Sequence, residues 1–152
     1  MTFLIGFTAN EAYAGQLPCQ DDCTIRLLVH IDIKPGSDPN SINTNSMGLV
    51  PVAILTTDNF DATSVNPGSL IFMAADDLIG DEDYRNCVRH GLEDVDGDGD
   101  LDLVCKFPQK TTWINCDTTE GVILGQTIDG QGIIGFDSIN PVGKDCHNNN
   151  DA

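Results

Sequence analysis

The fold of this chain is decided by residues 24–33, which read TIRLLVHIDI. Every odd position in this stretch is apolar, and every even position is polar except Leu28. Such alternation with a period of two is typical of a β-strand with one buried face. The sequence therefore predicts a single strand over Thr24–Ile33, which ends at Pro35-Gly36 and carries His30 on its polar face.

The remainder of the chain predicts further short strands separated by turn-forming residues. These strands cover residues 49–57, 69–73, 87–95, 101–107, 121–128 and 132–139. The last two form a hairpin across Asp129-Gly130, because Asp-Gly between two apolar runs is a hairpin signal. Residues 74–86 have room for one short helix. The pattern predicts an all-β fold, a single β-sandwich of the immunoglobulin-like, Greek-key type.

The charge of the chain limits its partners. The 152 residues include 7 Lys and Arg against 24 Asp and Glu, which gives a formal net charge of −17. We expect no nucleic-acid partner, because phosphate binding needs a basic surface. No apolar run approaches the roughly 20 residues of a membrane span. The 40% of hydrophobic residues suffice for the core of one domain.

Six cysteines in an acidic, turn-rich chain indicate an oxidising compartment and up to three disulfides. A zinc site is the competing interpretation, but it favours paired C-x2-C spacing, which is absent from this sequence. Among the 15 possible connectivities, we predict the pairs Cys19–Cys23, Cys87–Cys105 and Cys116–Cys146.

The most informative stretch is EDVDGDGDLDLV, residues 93–104, in which six carboxylates fall within ten residues. Its spacing matches a calcium-binding loop with oxygen ligands at positions 1, 3, 5, 7 and 9 and a glycine at position 6. The candidate ligands are the carboxylates of Asp94, Asp96, Asp98 and Asp102 and the backbone carbonyl of Asp100. Hard oxygen ligands favour Ca²⁺. The alternative is a solvated acidic turn.

This loop differs from a helical EF-hand. Cys105 occupies position 12, where an EF-hand places a bidentate Glu. Residues 101–107 alternate between apolar and mostly polar side chains, so a strand follows the loop into the core. We therefore predict one strand-flanked calcium loop within the sandwich.

Several segments resemble a family of secreted bacterial and archaeal modules. They are IDIKPGSDPNSIN at 31–43, GLVPVAIL at 48–55, the acidic loop at 93–104, LGQTIDG at 124–130 and GFDSI at 135–139. The resemblance implies an extracellular, calcium-binding β-domain with no established enzymatic activity. The loop itself resembles the FG-GAP-like calcium loops of integrin-type β-propellers, but a single copy excludes a propeller and a paired-loop dockerin.

The N-terminal segment has two interpretations. Ala12-Tyr13-Ala14 has the form of a signal-peptidase site after the apolar Phe3–Ala9, although no basic residue precedes Arg26. Alternatively, Thr2–Thr8 is retained as a β-strand. We divide the chain into a signal-like or donor-strand segment (1–14), a calcium-binding β-sandwich (15–145) and a polar tail (146–152).

Two further, secondary clusters of side-chain oxygens occur in the sequence. The first could hold a second Ca²⁺ or cap turns, and comprises Asp32, Asp38, Asn40 and Asn43. The second lies between Asp76 and Asp83 and is interpreted as a solvated loop.

We expect a protein without catalytic activity, because the sequence contains no nucleophile elbow, zinc-protease, P-loop or dinucleotide motif. The predicted function is a secreted calcium-binding module of the cell surface, with other cell-surface components as partners. The alternative is an extracellular filament subunit that donates its N-terminal strand to a copy of itself. A weaker alternative is a hydrolase with an unrecognised acidic site.

Overall fold

The computed structural model describes residues 25–77 and 86–149, and these form ten β-strands joined by turns and short 3₁₀ helices. The strands are β1 (Arg26–Leu28), β2 (Ile31–Ile33), β3 (Ser41–Asn43), β4 (Leu49–Ile54), β5 (Ile71–Ala74), β6 (Arg89–Glu93), β7 (Asp102–Pro108), β8 (Glu120–Gln126), β9 (Gly132–Ser138) and β10 (Asn140–Val142). The 3₁₀ helices are Ala62–Ser64, Pro67–Ser69, Ala75–Asp77, Gln109–Thr111 and Lys144–Asn149. The prediction of an all-β chain is confirmed for these residues.

Helical structure in the described ranges is confined to 3₁₀ segments of three to six residues. The short helix expected within residues 74–86 is a 3₁₀ turn at Ala75–Asp77, and residues 78–85 lie outside the described part of the chain. Among the described residues, no helix is long and apolar enough to cross a membrane.

The strands form three sheets. The first has the order β1-β9-β8-β5, the second has the order β2-β4-β7-β6, and β3 and β10 form a two-stranded sheet. Two hairpins, β6–β7 and β8–β9, lie within the four-stranded sheets. The predicted hairpin across Asp129-Gly130 is confirmed, and Gly130 adopts a φ of 93°, which a side chain would disfavour.

The predicted strand over Thr24–Ile33 is wrong as a single element. Its first part, β1, pairs in parallel with β9 in the first sheet, and its second part, β2, pairs with β4 in the second. The N–H of Val29 donates to the carbonyl of Ile134, whereas the carbonyl of His30 accepts from the N–H of Leu55. The chain thus changes sheets between Val29 and His30.

The change of sheet separates a buried half of this stretch from an exposed half. Val29, Ile31 and Ile33 are buried as the alternation predicts, but Ile25 is 83% exposed. Buried and more exposed side chains continue to alternate from Val29 to Ile33. A period of two therefore detects the extended conformation and gives no sign of which sheet each half joins.

The two four-stranded sheets contribute to one hydrophobic core. Phe72 of β5 and Phe107 of β7 lie with their ring centroids 5.5 Å apart, and both are at most 1% exposed. Their neighbours in this core include Ile33, Val52, Ile54, Ile123 and Ile133. Full burial of each such side chain contributes about 1.5–3 kcal/mol, so this core is the main source of stability.

Two disulfides join distant parts of the described chain. Cys87–Cys105 links the segment before β6 to β7, and Cys116–Cys146 links the β7–β8 connection to the C-terminal 3₁₀ turn. Both predicted pairings are confirmed. The predicted pair Cys19–Cys23 lies outside the described residues.

The crossing from β1 to β2 passes very close to Gly135 of β9. A Cβ atom at Gly135 would lie 2.7 Å from Cγ2 of Ile31 and 3.0 Å from the carbonyl oxygen of Val29. Since one of these neighbours is backbone, the contact cannot be relieved by a rotamer change alone. Glycine at this position lets the crossing strand pack against the first sheet.

We expect Gly135→Ala to lower the free energy of unfolding by about 1–3 kcal/mol, because the added methyl group overpacks the crossing. Gly91→Ala in β6 is the matched control, since a Cβ there meets no atom within 4 Å. Urea unfolding of both variants measures the difference. Equal stability of the two variants would contradict the close packing inferred at Gly135.

Candidate metal site

The acidic loop connects β6 to β7 in the second sheet. Asp94 directly follows Glu93, the last residue of β6, and Asp102 is the first residue of β7. Glu93 and Asp102 are opposite each other at the end of the ladder. The hairpin register therefore brings the two ends of the loop together.

Two glycines allow the loop to turn. Gly97 has a φ of 77° and Gly99 a φ of 96°, and both values lie in the left-handed region that residues with a Cβ disfavour. These conformations direct successive backbone N–H groups towards Asp94. The predicted need for glycine at position 6 of the loop is met by Gly99.

The carboxylate of Asp94 organises the loop. Its Oδ2 accepts from the N–H of Gly99 at 2.9 Å, and its Oδ1 accepts from Gly97 at 2.8 Å and from Asp98 at 3.2 Å. The hydrogen bond from Gly99 is the largest effect that lowers the pKa of Asp94, and the bonds from Gly97 and Asp98 lower it further. Asp94 is thereby held as an anion.

The carboxylate of Asp102 anchors the loop to the protein interior. Asp102 is 0% exposed, and its Oδ1 accepts from the N–H of Thr56 at 2.9 Å while its Oδ2 accepts from Val95 at 3.0 Å. The hydroxyl of Thr56 donates to the carbonyl of Leu101 at 2.7 Å. The β4–β5 connection thus clamps the C-terminal end of the loop.

Asp94, Asp96 and Asp102 come together at one point. Each offers a carboxylate oxygen, and these three oxygens lie within 4.8 Å of one another. Among the described residues, this is the only group of three or more such acidic, histidine or cysteine side chains. The other two predicted ligands, Asp98 and Asp100, lie outside this group, and Oδ1 of Asp98 accepts from the N–H of Asp100 at 2.9 Å.

The electrostatics of the group favour a cation. Desolvation raises the pKa of Asp96, and the neighbouring carboxylates of Asp98 and Asp102 raise it further. Three carboxylate oxygens so close together repel one another. A hard divalent ion that prefers oxygen ligands fits this donor set.

Thr56 is a residue of the site that sequence reasoning missed. It lies 46 residues before Asp102 along the chain, and it contacts the loop through its backbone N–H and its hydroxyl. A threonine that ends an apolar strand carries no signal of this role. Only the pairing of β4 with β7 brings it to the loop.

The structure brings together three of the four residues of the first secondary cluster. Asp32, Asp38 and Asn40 line one cleft of about 300 Å³, and the cleft is shared with Asp137 of β9, which the sequence reasoning missed. Asn43 lies apart and accepts from the N–H of Asn45. Burial raises the pKa of Asp32, and the charges of Asp137 and Asp38 raise it further.

The side chains of Asp137 and Asn40 in this cleft form hydrogen bonds within the protein. Asp137 Oδ2 accepts from the N–H of Ile33 and from Nδ2 of Asn40, both at 2.9 Å, and Asn40 also donates to the carbonyl of Ser138. These bonds fasten β9 and the loop after β2 to each other. The second cluster, between Asp76 and Asp83, extends beyond the described residues after Asp77.

Comparison with known proteins returns no match: no protein-family model fits the chain, and no characterised protein matches its sequence.

The two pKa shifts predict an order of protonation in the metal-free loop. We expect the carboxyl of Asp94 to titrate below its ordinary pKa of 3.8 and that of Asp96 to titrate above it. As the pH falls, Asp96 of the metal-free loop therefore takes up a proton before Asp94 does. Carboxyl ¹³C chemical shifts, followed by NMR against pH, measure both midpoints.

Asp94→Asn assigns the lower midpoint and is the control for this titration. The depressed pKa of Asp94 also means that its stabilising effect is present above pH 3.8 and is lost as the pH falls below that value. The reverse order of the two midpoints would contradict the hydrogen bonding described for the loop.

Proposed function

We propose that this chain is a secreted, calcium-binding, non-catalytic structural or binding module, located at the cell surface or elsewhere outside the cell. The observation that carries the proposal is the convergence of Asp94, Asp96 and Asp102, one of them fully buried, within 4.8 Å. A buried carboxylate beside two others is costly unless a cation offsets the repulsion. Calcium binding removes that cost.

The proposed ligand set extends beyond these three residues. Ca²⁺ takes six to eight oxygen ligands in a flexible arrangement, whereas Mg²⁺ requires near-ideal octahedral geometry. The carboxylate of Asp98 lies outside the group of three and occupies position 5 of the calcium-loop spacing. We add it to the set together with the backbone carbonyl of Asp100, as the loop spacing predicts.

The scaffold proposed for the site is a single β-sandwich of the immunoglobulin-like, Greek-key type. Its support is the shared core, in which the rings of Phe72 and Phe107 join the two four-stranded sheets. Extracellular location is supported by the disulfides Cys87–Cys105 and Cys116–Cys146, since such bonds persist in oxidising compartments.

Calcium is expected to raise the melting temperature of the protein. A ligand that binds only the folded state at 100-fold excess over its Kd stabilises it by about 2.7 kcal/mol. For a domain of this size that corresponds to about 5–10 °C. We expect Asp96→Asn to abolish the increase and Gly99→Val to reduce it, because valine disfavours the left-handed conformation of this residue.

Asp129→Asn is the control for the loss of one negative charge, since Asp129 is exposed in the β8–β9 turn. Differential scanning calorimetry in millimolar calcium and in chelator provides the measurement. A wild-type melting curve that is the same in both solutions would contradict the calcium assignment.

A second candidate function, a self-assembling filament subunit, is favoured by the exposed edge of the first sheet. Ile25 is 83% exposed, Leu28 71% and Leu27 44%, and among the described residues β1 has β9 on one side and no strand on the other. An apolar edge strand invites the addition of another strand. The predicted donor, Thr2–Thr8, lies outside the described residues, and its Phe3, Ile5 and Phe7 alternate as a donated strand requires.

Charge opposes this assembly, because a net charge of −17 repels neighbouring subunits. Bound Ca²⁺ lowers that repulsion, so assembly is expected to be calcium-promoted.

Deletion of residues 2–8 tests strand donation. We expect the deletion to leave a folded, calcium-binding monomer, and we expect Leu28→Lys to weaken assembly at the acceptor edge. Met47→Lys is the matched control, since Met47 is 78% exposed in the β3–β4 connection. Electron microscopy and light scattering in millimolar calcium provide the readout. Filaments formed by the deletion variant would contradict strand donation.

A further inference from the structure

The Cys87–Cys105 disulfide and the candidate metal group lie on the same hairpin. Cys87 precedes β6 by two residues, and Cys105 lies within β7, so the disulfide closes the base of the β6–β7 hairpin. The metal group lies at the tip, where Asp94 follows β6 and Asp102 begins β7. The 18-residue separation of the two cysteines spans the whole acidic loop.

Strand β6 has little attachment to the core of its own. All five of its residues are exposed, and among the described strands it pairs only with β7. In contrast, Cys105 is 0% exposed, and Cys87 packs against the hydrophobic core. The disulfide is therefore the covalent link that fastens the start of β6 to the interior of the protein.

The position of Asp94 depends on β6, whereas the position of Asp102 depends on β7 and Thr56. Anything that loosens β6 separates one ligand from the others. A cation that binds all three carboxylates must then supply the free energy for ordering β6, and its affinity falls accordingly.

We propose that the Cys87–Cys105 disulfide controls the cation affinity of the acidic loop: its reduction weakens calcium binding, and bound calcium protects the disulfide from reduction. This inference rests on the proposed calcium-binding function. The two effects are reciprocal, because the factor by which reduction weakens binding equals the factor by which calcium disfavours reduction.

The redox step is thiol–disulfide exchange with an external dithiol. One thiolate of the dithiol attacks a sulfur of the disulfide, the S–S bond breaks and a mixed disulfide forms. The second thiolate of the reagent then displaces the remaining protein sulfur. The products are two protein thiols and the cyclic oxidised dithiol, so two electrons and two protons pass to the protein.

The first experiment compares calcium affinities by isothermal titration calorimetry. We expect Cys87→Ala/Cys105→Ala to bind calcium about 5–150-fold more weakly than the wild-type protein. Cys116→Ala/Cys146→Ala is the matched control, since that bond lies outside the β6–β7 hairpin, and its affinity should stay within about twofold. Amide-exchange protection of β8 and β9 establishes that each variant is folded.

The second experiment uses the unmodified sequence, so it does not depend on the folding of a variant. The wild-type protein is equilibrated with mixtures of reduced and oxidised dithiothreitol over a range of ratios, with saturating calcium or with chelator, and thiols are counted by alkylation and peptide mapping. Calcium should shift the reduction of Cys87 and Cys105 to a higher ratio of reduced to oxidised dithiothreitol, by a factor that matches the calorimetric ratio. The reduction of Cys116 and Cys146 should not shift.

The outcomes distinguish a failure of the coupling between the disulfide and calcium from a failure of the proposed calcium-binding function. Equal calcium affinity with and without the Cys87–Cys105 disulfide, or reduction curves that coincide with and without calcium, would overturn the coupling alone. The absence of calcium binding to the oxidised wild-type protein would overturn the proposed function and the coupling with it.

Discussion

The acidic loop depends on the hydrogen bonds that the buried carboxylate of Asp102 accepts. This carboxylate is fully enclosed, yet it accepts hydrogen bonds from Thr56 and Val95, which belong to different segments of the chain. An unpaired charge in this position would cost several kcal/mol or more. The enclosure of Asp102 therefore requires β4, β7 and the loop to be in place together, and the loop becomes a part of the folded core.

The same residue connects stability to function. The backbone donors neutralise part of the Asp102 charge, but Asp94 and Asp96 add negative charge beside it. This arrangement is tolerated in a protein whose core is supplied elsewhere, by the packing of Phe72 against Phe107 and their apolar neighbours. If the loop binds calcium as proposed above, the fold sacrifices local electrostatic stability in favour of that binding.

Features that depend on neighbouring residues could be predicted from the sequence. The β8–β9 hairpin follows from Asp129-Gly130, and the turn around Asp94 follows from the spacing of aspartates and glycines. Apart from the two disulfides Cys87–Cys105 and Cys116–Cys146, features that depend on distant residues could not be predicted. The change of sheet at Val29–His30, the clamp by Thr56 and the contribution of Asp137 each require knowledge of which strands pair. The alternation of apolar and polar residues indicates an extended segment with one buried face, but it does not indicate which strand pairs with that segment.

The Cys116–Cys146 disulfide has a mechanical consequence. It joins the connection after β7 to the C-terminal turn across a separation of 30 residues, and that interval contains β8, β9 and β10. A pulling force applied beyond Cys146 passes covalently to Cys116 through the disulfide, so the backbone of these three strands lies outside the covalent path of the force. The disulfide prevents the 30-residue interval from being stretched out, which at roughly 3.4 Å per residue would add about 100 Å to the length of the chain. A domain built in this way resists elongation by shear or traction even after its sheets have begun to separate.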